Sequence, residues 1–301
     1  MGRMNVDEGD SSWSGGNAPR GRRLIALERF ESKTTALAQS FRDVRPFPHI
    51  VLEDFLELES STHAEFPTLE WPHWERLTDG YQEGKSTCRE LDVIPRPWRT
   101  IIEELSAPRF MRFLETVTSI SKLLPDPYLE GGGLHLSGPG GHLAPHTDFH
   151  VYERLDLYRR VNLLLYLNEN WQPENGGNLA LFDASDLSHP VEIAPEWGTC
   201  VIFATDDASV HGVNPVADGC LRRSIALYYY TSTETPGYSG DTSTHWKTHG
   251  DTRGVHRVQL WAYFAFMKMS RLFSMLAHLV NPRFGLRMVK ERLARRRADR
   301  P

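Results

Sequence analysis

Cysteine is scarce in this chain of 301 residues. Cys88, Cys200 and Cys220 are odd in number, far apart and without a CxxC pair. That excludes a disulfide framework and a zinc ribbon, and it points to a reducing, cytoplasmic compartment. A long uncharged apolar run is missing too. The most apolar stretch, residues 260–280, is interrupted by Lys268 and Arg271, which argues against a membrane span of about 20 nearly uninterrupted apolar residues. No unit of about 20–50 residues repeats, so a solenoid or propeller is excluded. Charge of one sign is not in excess: the formal net of -5 gives no reason to expect nucleic acid binding by the chain as a whole. Residues 1–23 are polar and rich in Gly and Ser, lack the apolar core of a secretory signal, and read as a disordered lead.

What is present is the composition of a folded domain, 40% hydrophobic and 24% charged, enough to bury a sizeable core. The charge is unevenly placed. From Arg283 onward eight basic and two acidic side chains make a tail of formal charge +6, which leaves -11 for the rest of a chain of net -5. Residues 24–127 read as a helical or mixed support region, with Ile101, Leu105, Phe110, Phe113, Leu114 and Val117 on one helix-forming stretch from Trp98 to Leu124. From Tyr128 to Thr231 the character changes. Short β-prone runs at 133–136, 143–149, 161–167, 178–182, 191–193, 199–203, 210–213 and 222–231 alternate with Gly, Pro, Asn and Asp clusters. Without helical patterns between them, they predict an antiparallel sandwich or barrel. Residues 232–259 form a polar loop, and 260–301 an amphipathic helix with its basic tail.

The sequence His146-Thr147-Asp148 puts an imidazole and a carboxylate at i and i+2, on one face of a strand. His211, on the later short run 210–213, supplies a third donor. Two histidines and one carboxylate suit non-haem Fe(II), because they leave coordination positions open for a co-substrate and O₂. Ten residues further on, Arg222, Ser224, Ala226 and Tyr228 share one face of a strand, and Ile225, Leu227 and Tyr229 the other. An arginine followed by small or polar residues is an odd core face but a sensible pocket face. Its guanidinium can grip a carboxylate through two parallel hydrogen bonds, and the Ser224 hydroxyl can add a third. Arg223, on the opposite face, reads as solvated.

These residues resemble the Fe(II)- and 2-oxoglutarate-dependent dioxygenases, in particular the prolyl-4-hydroxylase-like branch. Five elements come in the family's order: HTD at 146–148, RVNLLLYLNENW at 160–171, GGNLALF at 176–182, HGV at 211–213 and RRSIALYYY at 222–230. The resemblance implies a double-stranded β-helix core of the jelly-roll or cupin-like kind, mainly β with helical support. It implies Fe(II) on His146, Asp148 and His211, and 2-oxoglutarate gripped by Arg222 and Ser224. Tyr166 corresponds to a family tyrosine that hydrogen-bonds the far carboxylate of 2-oxoglutarate; Asn162 and Leu164 share its strand face and line the same cavity. Two positions depart from the pattern. Leu136 or His135 stands where several prolyl hydroxylases carry a tyrosine, and Ala226 where some relatives have threonine. His142 and His150 flank the HTD motif; either could line the pocket mouth, and a surface position without a ligand role is the expectation for each.

The activity implied is hydroxylation of an unactivated C–H bond, with O₂ consumed and 2-oxoglutarate converted to succinate and CO₂. Halogenating relatives lack the carboxylate that Asp148 supplies, so hydroxylation, desaturation or cyclisation fits better. The expected substrate is a small molecule, a peptide or a carrier-bound intermediate. The loop at 232–259, with His245, Trp246 and His249, reads as a lid, and helix 260–280 as a surface for an anionic membrane or a second copy. The alternative is a non-catalytic cupin-like protein that binds a metal or a sugar.

Overall fold

The structure is a computed structural model that describes residues 23–58, 60–77, 81–233 and 244–246, with isolated helical positions at 265, 266, 269, 273 and 276. The chain divides after Lys247 into two units. The expected disordered lead, most of the loop at 232–259, and the helix and tail at 260–301 apart from those five helical positions lie outside the described residues. Among the described residues, no helix is long and apolar enough to cross a membrane.

The first unit is mainly β. Two short helices, α1 (Glu28–Glu31) and α2 (Thr34–Asp43), precede β1 (His49–Leu52), β2 (Glu75–Leu77) and β3 (Gln82–Cys88). Helices α3 (Arg96–Ser106) and α4 (Pro108–Thr118) follow. The remaining strands are β4 (Leu124–Pro125), β5 (Gly133–Thr147), β6 (Val151–Tyr152), β7 (Leu157–Tyr166), β8 (Leu179–Asp183), β9 (Asp186–Ile193), β10 (Cys200–Ala204), β11 (Val210–Val213), β12 (Arg222–Thr231) and β13 (His245–Trp246). The path through the sheet runs β1-β10-β7-β12-β5-β11-β8-β9, all pairs antiparallel. This is the double-stranded β-helix core with helical support.

Two sequence expectations need correction. The runs 133–136 and 143–149 belong largely to one bent strand. Its first half pairs with β12 and β3, and its second half with β11 and β13. The corner is the segment Gly138-Pro139-Gly140-Gly141, where Gly140 takes φ +72° and a Cβ on Gly141 would press on the Gly138 carbonyl. Only glycine turns there without strain. The stretch from Trp98 to Leu124 is two helices, because Ala107 is extended ahead of Pro108, as residues before proline tend to be. The region read as helical or mixed contains strands beside its helices, and β1 and β3 join the main sheet.

Strand alternation gives the main sheet two unlike faces. Leu134, Leu136, Val161, Leu163, Leu165, Ile225, Leu227 and Tyr229 turn toward α3 and α4 and join Trp98, Ile101, Leu105, Phe110 and Leu114 in one buried cluster. The opposite face carries His135, Ser137, Asn162, Leu164, Arg222, Ser224 and Tyr228, which line a cavity. The helices therefore supply the apolar core on one side and leave the other free for chemistry. Phe110 is fully buried, its ring centroid 6.3 Å from Phe55 and 6.2 Å from Tyr229. Phe110→Ala should destabilise the fold by about 3–5 kcal/mol, through lost transfer energy and the void left behind. Chemical denaturation will measure it, and a change below about 1 kcal/mol would mean that the helices do not anchor the sheet.

Candidate active site

The register of β11 against β5 sets His211 opposite His146, with ring centroids 4.4 Å apart. Asp148 follows two residues after His146, just beyond the end of β5. The ligand atoms of His146, Asp148 and His211 all lie within 4.8 Å of one another, a group able to hold a metal ion. Each imidazole is oriented from behind by its own chain. His146 Nδ1 donates to the Ala144 carbonyl at 2.8 Å, and His211 Nδ1 to the Ser209 carbonyl at 3.0 Å. Those bonds fix the tautomer and turn both Nε2 atoms toward Asp148, at 3.6 and 3.4 Å. Burial lowers the His211 pKa to about 4, with His146 acting in the same sense, so the ring is neutral and able to ligate.

Asp148 is buried, and burial alone would raise its pKa. The Arg159 guanidinium, then His211 and His146, outweigh that and hold the carboxyl well below the usual carboxylate range. Arg159 Nη2 lies 3.0 Å from Asp148 Oδ2, and Asn162 Nδ2 donates to the same oxygen at 2.7 Å. Arg159 Nε in turn donates to Asn162 Oδ1 at 2.8 Å. Asn162 thus lines the cavity with its amide spent on the metal-ligand carboxylate and the arginine behind it.

Arg159 was not visible in the sequence. Counting back from Asn162 by twos puts Arg160 in the cavity and Arg159 outside. The pairing of β12 with β7, however, jumps from Tyr229↔Val161 to Tyr230↔Arg159. This β-bulge adds one residue and exchanges the two arginines, so Arg159 lines the cavity and is only 2% exposed. No local sequence signal marks it. Lys85 was missed for a different reason: it stands on β3, within the region read as helical or mixed, and also lines the cavity.

Arg222, Ser224 and Leu164 line the same cavity of about 240 Å³ as the three metal-binding candidates. Tyr166 is fully buried, opposite Ser224 in register, with the Arg222 guanidinium 4.9 Å from its ring centroid. Arg222 Nε donates to the Gly177 carbonyl at 2.7 Å, which fixes the guanidinium. No carboxylate of the described residues pairs with it, and burial pulls its pKa down. Arg222 Nη2, Ser224 Oγ and Tyr166 Oη are all buried without a well-formed hydrogen bond, although the guanidinium and the phenol interact with each other. Burial also pushes the Tyr166 phenol up to about 12, so it remains a donor at neutral pH.

His142 lines the cavity instead of standing apart from it, and its Nδ1 donates to the Gly140 carbonyl at 3.0 Å. His150 is also not a surface residue: it is 1% exposed, with Nδ1 3.2 Å from Asp207. The reason is that the chain turns inward after Asp148 toward β6 and β7, with the Arg159 amide bonding the His150 carbonyl. From the expected lid, β13 pairs His245 with Thr147 and Trp246 with His146, and Thr244 lines the cavity. His249 lies outside the described residues.

Two groups of donors thus share one cavity: a His–Asp–His set for a divalent ion, and a buried cation with two hydroxyls for a carboxylate. Such a pairing can hold a metal ion beside an organic acid. Residues 132–230 match the profile of the 2OG-Fe(II) oxygenase superfamily. That match covers about a third of the chain, and over this segment the chain is similar to the 2OG-Fe(II) oxygenases. It is 24% identical over 206 residues to the prolyl 3-hydroxylase OGFOD1 of Mus musculus, covering 65% of this chain. The match spans 35% of that relative, about a third of its length. A solved structure from work on prolyl 4-hydroxylases of Phytophthora capsici matches with a TM-score of 0.51 at 17% identity, over 92% of this chain and 86% of that one. A Trichoplax adhaerens prolyl hydroxylase, solved with a hypoxia inducible factor peptide, matches with a TM-score of 0.48 at 18% identity, over 68% and 91%.

Asn162→Leu removes the amide between Asp148 and Arg159 without emptying the strand. Fe(II) affinity should fall by about 10–100-fold, the usual effect of losing a partner behind a metal ligand. Anaerobic Fe(II) titration will measure it, with the far-UV circular dichroism unchanged. Full affinity in the variant would show that Asp148 needs no such support.

Proposed function

We propose that the protein hydroxylates an unactivated C–H bond of a small-molecule, peptidyl or carrier-bound substrate, converting 2-oxoglutarate to succinate and CO₂. In this reading His146, Asp148 and His211 hold Fe(II), while Arg222, Ser224 and Tyr166 hold the far carboxylate of 2-oxoglutarate. The observation that carries it is the set of three buried polar groups, Arg222 Nη2, Ser224 Oγ and Tyr166 Oη, none of which makes a well-formed hydrogen bond within the protein. A buried polar group without a partner costs about 1–3 kcal/mol, and a carboxylate is an acceptor with lone pairs enough for all three. A plain metal- or sugar-binding barrel has no use for such a clamp. The relative named as a prolyl 3-hydroxylase supports hydroxylation as the outcome.

Bound Fe(II), with 2-oxoglutarate and O₂, supplies the oxidising power that no side chain has. The chain's own residues supply order. The Ala144 and Ser209 carbonyls fix the imidazole tautomers. Asn162 and Arg159 occupy Asp148 Oδ2, which leaves Oδ1 as the less engaged oxygen of the carboxylate. Gly177 orients Arg222 so that its Nη edge is open to an anion. Leu164, Leu179, Phe203 and Val213 make the intervening wall apolar, which keeps water from competing for the reacting groups.

Adding Fe(II) and 2-oxoglutarate without oxygen should produce a weak visible charge-transfer band. Asp148→Ala should abolish it, and Arg222→Ala should raise the 2-oxoglutarate concentration needed by at least about 100-fold, as expected for loss of a buried charged partner worth about 3–5 kcal/mol. A folded protein that gives no band, or an Arg222→Ala variant with unchanged 2-oxoglutarate dependence, would sink the assignment. Succinate release across amino acids, prolyl peptides, sugars and lipids will then identify the substrate class.

A further inference from the structure

The second unit of the chain, Thr248–Pro301, carries a charge opposite to that of the first. It has twelve basic and three acidic side chains, a formal +9, which leaves -14 for the rest of a chain of net -5. From Thr252 to Lys290 there is no acidic residue at all. We infer that this unit docks on an anionic lipid surface, into which it lays one apolar helix face.

Phe266, Met269, Phe273 and Leu276 are helical positions, spaced by three, four and three residues. At 3.6 residues per turn that spacing puts all four on one side of the helix, along about 15 Å of its length. All four are exposed, the two phenylalanines at 65% and Met269 and Leu276 at 46% and 45%. A helix packed on a domain turns its apolar stripe inward; this one leaves its stripe in water. Large apolar side chains gathered in that way mark a surface that something else covers. Among the described residues, the other exposed large apolar side chains are Val51, Leu124, Tyr128 and Val191, and these form no such series.

Spacing alone would also suit a second copy of the chain, because steps of three and four are those of the a and d positions of a coiled coil. A coiled coil, however, runs for at least about three heptads and sets opposite charges at the e and g positions beside the seam. Here the residues at those positions of the sequence are Ser270, Leu272, Ala277 and Leu279, and none is charged. Two copies of a +9 unit also repel each other, whereas anionic headgroups attract it. Trp261 and Tyr263, just before the stripe in the sequence, are aromatic types that favour the boundary between lipid and water. An apolar stripe among basic residues, without acidic ones, lies in the plane of that boundary, its apolar face at the acyl chains and its cations at the headgroups. The -14 of residues 1–247 is repelled by the same surface. Charge therefore decides which part of the chain meets the lipid.

The test uses the full chain and large unilamellar vesicles of phosphatidylcholine, either alone or with about one third phosphatidylglycerol. Co-sedimentation gives the partition coefficient, and light scattering gives the mass of the protein without lipid. Binding to the anionic vesicles should be tenfold or more stronger than to the neutral ones, and high salt should weaken it. Phe266→Ser and Phe273→Ser, made together, should weaken binding tenfold or more with the far-UV circular dichroism unchanged. Arg295→Gln, Arg296→Gln and Arg297→Gln, made together, should weaken it as well. Val191→Ser, which removes an exposed apolar side chain from β9, should leave it as it was. The inference is overturned if the anionic vesicles are not bound, or if the neutral ones are bound equally well. It is also overturned if the double phenylalanine variant binds as tightly as the wild type, since basic charge alone would then be at work. A wild-type protein that is a dimer without lipid, and becomes a monomer when both phenylalanines are replaced, would overturn it in favour of a second copy.

Discussion

One strand runs through both layers of the fold, and the geometry of the site depends on its bend. The first half of β5 builds the main sheet beside β12, and its second half pairs with β11. Because the peptide chain is continuous across the glycine corner, the wall with His135 and Ser137 and the ligands His146 and Asp148 hold a fixed relation. Pairing then extends that relation to His211 through β11, and to Arg222 and Ser224 through β12. The three metal-binding candidates and the anion clamp come from residues far apart in sequence, yet each is one hydrogen-bonded register away from the same strand. Side-chain packing refines this arrangement, but backbone pairing establishes it.

The helices have a complementary task. Leu163, Leu165, Ile225 and Leu227 need an apolar partner, and α3 and α4 provide it. Burial of such side chains contributes about 1.5–3 kcal/mol each. This lets the opposite face of the same strands hold arginines, histidines and unsatisfied hydroxyls without unfolding the domain. Stability is concentrated on one side of a single sheet and chemistry on the other.

How much of this could be read from the sequence follows from which rules have exceptions. The period of two in 222–230 gave the correct face for Arg222 and Ser224, because β12 keeps its alternation through those positions. The spacing of His146 and Asp148 likewise announced a shared face, and the apolar wall position of Leu164 followed from the same alternation. Arg159 was hidden because a bulge changes parity, and parity was the only tool available. Lys85 was hidden because β3 is polar, QEGKSTC, and gains its strand character from pairing with β2 and β5 and not from its own composition. The bend of β5 looked like a gap between two strands, since Gly-Pro-Gly-Gly is equally the signature of a loop. In each case the missing information was tertiary.

The three buried polar groups around Arg222 also bear on how the protein lives without its co-substrate. Each is taken out of water without a well-formed hydrogen bond in its place, a deficit of about 1–3 kcal/mol apiece. In a domain whose whole margin is of order 5–15 kcal/mol, that is a substantial fraction. A ligand that satisfies all three raises the margin by mass action, in proportion to the logarithm of its concentration. On the proposed assignment of that ligand as 2-oxoglutarate, the persistence of the folded chain is tied to the supply of its own co-substrate, and scarcity would lower both the activity and the number of folded copies.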